Sequence, residues 1–136
     1  MQFNFFKNKE ITFNQLIIDL TSLKRKSITK QRDLLNKVVL FYNKLINEDQ
    51  TPTDNVAYQL INKIDPRYFK NNPELLTIYG NILFQYTCIM NATRDRGFDM
   101  NPQMDCLTNF VNSIPNHAFS EKINMLKNEI EMKNNR

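Results

Sequence analysis

Apolar residues recur along this chain at intervals of three and four, the period of a helix with one buried face. Phe13, Leu16, Ile17, Leu20 and Leu23 form the first stripe. Thr12 precedes it and Gln15 follows three residues later in capping-box order, and Ile11 and Leu16 stand where a hydrophobic staple closes the entry. The spacing predicts a helix ending near Lys26. Ser27 or Thr29 caps a second helix carrying Leu34, Leu35, Val38, Val39, Phe41, Tyr42, Leu45 and Ile46 before the polar stretch Asn47-Glu48-Asp49-Gln50. Its apolar residues come in pairs, so its stripe is wide and predicts neighbours on two sides.

The later helices share one opening, a capping residue followed by proline. Thr51-Pro52, Asn72-Pro73 and Asn101-Pro102 all fit, because the proline ring is pre-set for the first helical position and its missing N–H is unpaired there anyway. Asp54, Glu74 and Asp105 then fall in or near the first turn, as the helix dipole favours. The third helix reads Val56, Leu60, Ile61, Ile64 and stops at Asp65, since a residue preceding proline avoids the α region. The fourth, from Pro73 to about Arg94, is apolar on most of its circumference and is predicted to be central. Gly80 in its middle costs about 1 kcal/mol against Ala, which predicts a close approach there. Gly97 stands beyond it as a terminator. A fifth helix runs from Pro102 to about Ile114 and ends at Pro115. The last, from about Ser120, carries Ile123, Leu126 and Ile130 on one face.

The expected fold is therefore all-α: a compact single domain of five or six helices, orthogonal or bundle-like, around the central apolar helix at about 73–94. Short connections favour antiparallel neighbours. Residues 1–10 are expected to form an arm, extended or disordered, with Phe3, Phe5 and Phe6 available to dock on the helices. The helical domain spans 11–132, and 133–136 are expected to fray.

Composition adds mainly exclusions. A chain of 136 residues, 41% hydrophobic, buries enough surface to fold without a disulfide or metal staple. Two Gly against five Pro argue against glycine-rich phosphate loops and turn-rich β folds. The longest apolar run, Val38 to Tyr42, is far short of the ~20 residues a membrane span needs. With no signal-like N-terminus, the expected location is cytoplasmic. Cys88 and Cys106 lack metal or redox spacing and are read as free thiols packed as small hydrophobes.

Candidate chemistry is sparse. His117, the single histidine, falls in a connection, where a surface or capping role is expected rather than catalysis. Three Cys/His positions at unrelated spacings do not form a zinc site. Most carboxylates sit at helix starts or on polar faces, and Glu129 and Glu131, two apart, point in different directions. No catalytic residue, cofactor or metal ligand is expected.

Two segments stand out for charge. Asn91 to Asp99 sets Arg94 and Arg96 among acids after the most apolar helix. With Tyr79 or Tyr86 they are the candidate partner-binding residues, since Arg and Tyr anchor interfaces; alternatively the arginines satisfy terminal helix carbonyls. The net charge of +4 is concentrated in residues 1–50, where Lys24, Arg25, Lys26, Lys30 and Arg32 form a candidate nucleic-acid patch that binds by counterion release. The competing reading is a solvated helix end, favoured by the absence of aromatic residues among these cations.

The function expected from this pattern is a non-enzymatic protein-binding module of immunity, antitoxin or inhibitor type. Asn, Lys, Ile, Phe and Tyr, all drawn from A/T-rich codons, supply 60 of the 136 residues, a composition common on mobile elements. The alternative is a nucleic-acid-binding accessory subunit that uses the basic cluster.

Overall fold

Thr12 opens the first helix with its side chain: Oγ1 accepts the Gln15 N–H at 3.2 Å. Asn72 does the same farther on, where Oδ1 accepts the Leu75 N–H at 3.1 Å ahead of Pro73. The computed structural model describes residues 12–47, 54–115 and 117–135. Among them lie six α-helices and no strand: α1 (Phe13–Thr21), α2 (Ile28–Asn47), α3 (Asp54–Ile61), α4 (Pro73–Thr93), α5 (Asn101–Asn112) and α6 (Ser120–Asn134). The expected arm at 1–10 and the Thr51-Pro52 cap lie outside the described residues.

Several boundaries differ from the sequence expectation, each for a local reason. The first helix stops at Thr21, short of Lys26. Ser22 leaves the α conformation at φ −108° and ψ 17°, and its N–H turns to the Asp19 carbonyl at 3.2 Å in a tightened last turn. A 3-10 turn, Leu23–Arg25, follows and buries Leu23. Ser27, rather than Thr29, caps α2, its Oγ accepting from Lys30 N. The third helix ends at Ile61, and a tightened turn, Ile64 N to Ile61 O at 3.0 Å, then carries Ile64 into the core. Pro66 opens a structure instead of closing one: Asp65 Oδ1 accepts the Arg67 N–H, and Pro66–Phe69 is a 3-10 helix. Asn101 is itself helical, and the acceptor for its N–H is Asp99 Oδ1.

The end of α4 falls where expected, at Arg94, but by a different device. Gly97 lies in the turn closed by Phe98 N to Asp95 O, not at the helix cap. Arg94, extended at φ −73° and ψ 159°, terminates the helix instead. At the far end of the chain, α6 continues to Asn134 rather than fraying from Lys133. Lys133 Nζ donates to the carbonyls of Asn91 and Ala92 at 2.5 and 3.3 Å. It thereby satisfies two of the terminal carbonyls that α4 leaves open.

As expected, α4 is the hub of the bundle, packing against α2, α3, α5 and α6. Direction follows from paired contacts. Arg32 meets Glu74 and Asn43 meets Gln85, each across 42 residues, so α2 and α4 run parallel in a fixed register. Tyr79 meets Phe110, and Thr87 meets Gln103, so α5 runs antiparallel to α4. Lys122 lies over the Phe84 ring while Lys133 reaches Asn91, so α6 is again parallel to α4. Gly80 is where the α5–α6 connection presses in. A Cβ there would stand 3.1 Å from Ile114 Cδ1 and 3.3 Å from the Phe119 ring, which is the close approach expected of this glycine.

Candidate functional site

Since α2 and α6 both run alongside α4 in its own direction, they leave a trough over α4's C-terminal half. Its floor is Phe84, Cys88 and Ala92, successive positions on one helix face, and Leu45 and Ile46 of α2 oppose Met125 of α6 across it. The cavity measures about 570 Å³ and adjoins a shallower one of about 350 Å³ lined by Met132 and Lys133. From Lys122 to Lys133 this trough follows α6 for about 16 Å at the rise of an α-helix. Met125 and Met132 are 58% and 60% exposed, and Ile46 is 45% exposed. These are large apolar side chains on the rim of a groove instead of in the core.

Polar groups border the trough without forming a reactive centre. Gln85 Nε2 donates to Asn43 Oδ1 at 2.7 Å, while Gln85 Oε1 is buried with no hydrogen-bond partner. Burial, reinforced by the Glu129 carboxylate, pushes the Cys88 thiol up to about 12. It stays protonated at neutral pH, the opposite of an activated nucleophile. Among the described residues, no three His, Cys, Asp or Glu side chains are grouped to hold a metal ion. No helix there is long and apolar enough to cross a membrane. Both cysteines are free; Cys88 is half-buried as a packed residue should be, whereas Cys106, expected to pack in the same way, is exposed on α5.

The four expected partner-binding residues do not form one surface. Tyr79 is buried, edge-on to the Phe110 ring at 5.0 Å, and burial pushes its hydroxyl up to about 12. Tyr86 is half-buried and close enough to Tyr42, as Tyr79 is, to disfavour ionisation of that buried phenol. Arg94 is engaged by its own loop: Nε donates to Asn91 Oδ1 at 2.7 Å, Nη1 to the Arg96 and Phe98 carbonyls at 2.9 Å, and Nη2 to the Ile130 carbonyl at 3.3 Å. Arg94 is thus a helix terminator, and Arg96 is the fully exposed member of the set. His117 Nδ1 accepts the Phe119 N–H at 3.2 Å within the connection, while α6 itself starts without a side-chain cap.

No known family, curated protein or solved structure matches the chain.

The basic cluster is divided among three surroundings. Lys26 and Lys30 line a shallow groove between α1 and α2 together with Asp19 and Asp33. Arg32 pairs with Glu74 at 3.4 Å, both partly exposed. Lys24 Nζ lies 5.9 Å from the centre of the Tyr68 ring, and Arg25 is exposed on the same 3-10 turn. Tyr68 is 44% exposed, so the structure supplies beside these cations the aromatic residue that the local sequence lacks.

Sequence reasoning missed the trough. The available signal was on α6, where Met125 and Met132 repeat at seven residues outside the Ile123, Leu126, Ile130 stripe. A second apolar stripe on a helix whose first is already buried marks a face with work beyond the core.

Proposed function

We propose that this protein is a non-enzymatic protein-binding module, of the immunity, antitoxin or inhibitor kind, that neutralises or regulates a partner through the α2/α4/α6 trough. The supporting observation is the trough itself: an open, apolar, three-turn channel between parallel helices, with exposed methionines on its rim. Such a shape suits one amphipathic helix of the partner, with anchors at i, i+3 or i+4, and i+7. Flexible methionines accommodate varied side chains, as surfaces that bind helices commonly require.

Affinity capture from the native host, with the wild-type protein beside Met125→Glu and Met132→Glu, tests this reading. It expects a stoichiometric protein that the wild type retains and the variants lose. Recovery of no stoichiometric protein overturns it. Retention by both variants moves the contact away from the trough. Light scattering on the purified protein separates a heterologous partner from a second copy of this chain.

A further inference from the structure

The fold brings together two segments that are far apart in sequence. Residues 22–32 contain five cations and no acid, and residues 62–72 contain three cations and one acid. Together they hold eight of the chain's eighteen cations, and the remainder of the chain is net acidic, ten Lys/Arg against thirteen Asp/Glu. Their adjacency is fixed by the Lys24–Tyr68 contact and by the Arg32–Glu74 pair. It is also marked by a cleft of about 270 Å³ that Ile28 and Gln31 share with Tyr68, Lys70 and Asn71.

We infer that this cleft and its rim form a contact surface for single-stranded nucleic acid, a site separate from the apolar trough. Tyr68 is the stacking platform: its ring is 44% exposed, and Ile28 across the cleft is 57% exposed, leaving an apolar face for a splayed base. Base–aromatic stacking of this kind tolerates any base, because every base has a π-face. Lys24 lies over one face of the ring, its Nζ 5.9 Å from the centre, which leaves the other face for a base; it and Lys70, both exposed, contact the backbone phosphates. Lys26 and Lys30 turn toward Asp19 and Asp33, so they are not part of this surface. Arg67 is held by Asp65 through contacts of 2.7–3.0 Å, and Arg32 by Glu74, so these arginines set the rim without carrying the charge. The platform is a four-residue 3-10 helix. Paired bases hide the faces that Tyr68 would stack.

Fluorescence anisotropy with labelled oligo(dT) and oligo(rU), and with a duplex of equal length, tests the inference on the full-length protein. Single strands are expected to bind at about 50 mM salt, with log affinity falling linearly with log salt at roughly 0.7 per phosphate contacted. Lys24→Ala and Lys70→Ala should each reduce that slope by about 0.7. Tyr68→Ala should weaken binding about tenfold or more, with the slope kept, and Tyr68→Phe should bind like the wild type. Unchanged melting temperatures show that the variants are folded. The inference is overturned by no binding at about 50 mM salt, by equal affinity for the duplex, or by a Tyr68→Ala variant that binds unaltered. Equal competition by polyglutamate also overturns it, since the surface would then read only negative charge, as on an acidic protein.

Discussion

Tyr42 reaches out of α2 and gives its phenolic hydrogen to the backbone carbonyl of Ala57 in α3, 2.5 Å away. Both residues are completely buried, so the bond pins the short α3 to the longest contact in the bundle. Tyr42→Phe keeps the ring and removes the donor. The expected cost is about 1–2 kcal/mol, seen as a fall in melting temperature of about 4 °C per kcal/mol.

Gly80 sets two effects against each other. Alanine would improve helix propensity by about 1 kcal/mol, but its Cβ would press on Ile114 and Phe119, which are themselves 2% and 5% exposed and have little room to move. Overpacking of this kind costs about 1–3 kcal/mol, so Gly80→Ala should be destabilising by about 1 kcal/mol and Gly80→Leu by much more. Thermal melting of the pair checks the order.

Arg94 and Arg96 should separate cleanly. Arg94→Lys replaces a planar fork serving the carbonyls of Arg96, Phe98 and Ile130 with a single ammonium group that cannot reach them all. The expected loss is about 2 kcal/mol, with faster amide exchange across residues 95–99. Arg96→Ala should change stability by less than about 0.5 kcal/mol.

Alkaline pH should destabilise the protein through groups that the fold keeps protonated. Burial raises Cys88 from 9.0 to about 12, raises Tyr79 from 10.0 to about 12, and raises Tyr42 further still. The unfolded chain therefore ionises first, so stability is full below pH 9 and declines as pH rises toward 12. Melting temperatures at pH 7, 9 and 10.5 should fall in that order, and Cys88→Ala should flatten the first part of the decline. At pH 8 a thiol reagent should label exposed Cys106 quickly and Cys88 slowly, with the fast phase absent in Cys106→Ala.

Helix number, the central place of α4 and the role of Gly80 were legible in the sequence because each rests on local chemistry. Thr12 and Asn72 cap by bonds spanning three residues, and such bonds leave a signature in the order of residues. Boundaries failed where two local signals conflicted. The apolar stripe runs smoothly through Leu20 and Leu23, yet the backbone leaves the α conformation between them, at Ser22. At the fifth helix two polar residues were available, and Asp99 rather than Asn101 supplies the acceptor. The binding surfaces were less legible, because they are made by packing. Ile46 and Met125 flank one trough while lying 79 residues apart in the chain, and Tyr68 joins Lys24 across 44 residues. Tyr79, conversely, has the residue type of an interface anchor but is drawn inside by Phe110.

The parallel register of α2 and α4 also governs the order in which this protein can fold while it is being made. Each residue on the α4-facing side of α2 waits for a partner 42 residues farther along. At 5–20 residues per second the ribosome takes about 2–8 s to deliver it. During that interval α1 and α3 can shield only part of the wide apolar stripe on α2. The growing chain therefore carries an uncovered hydrophobic flank for seconds, until α4 arrives to cover it.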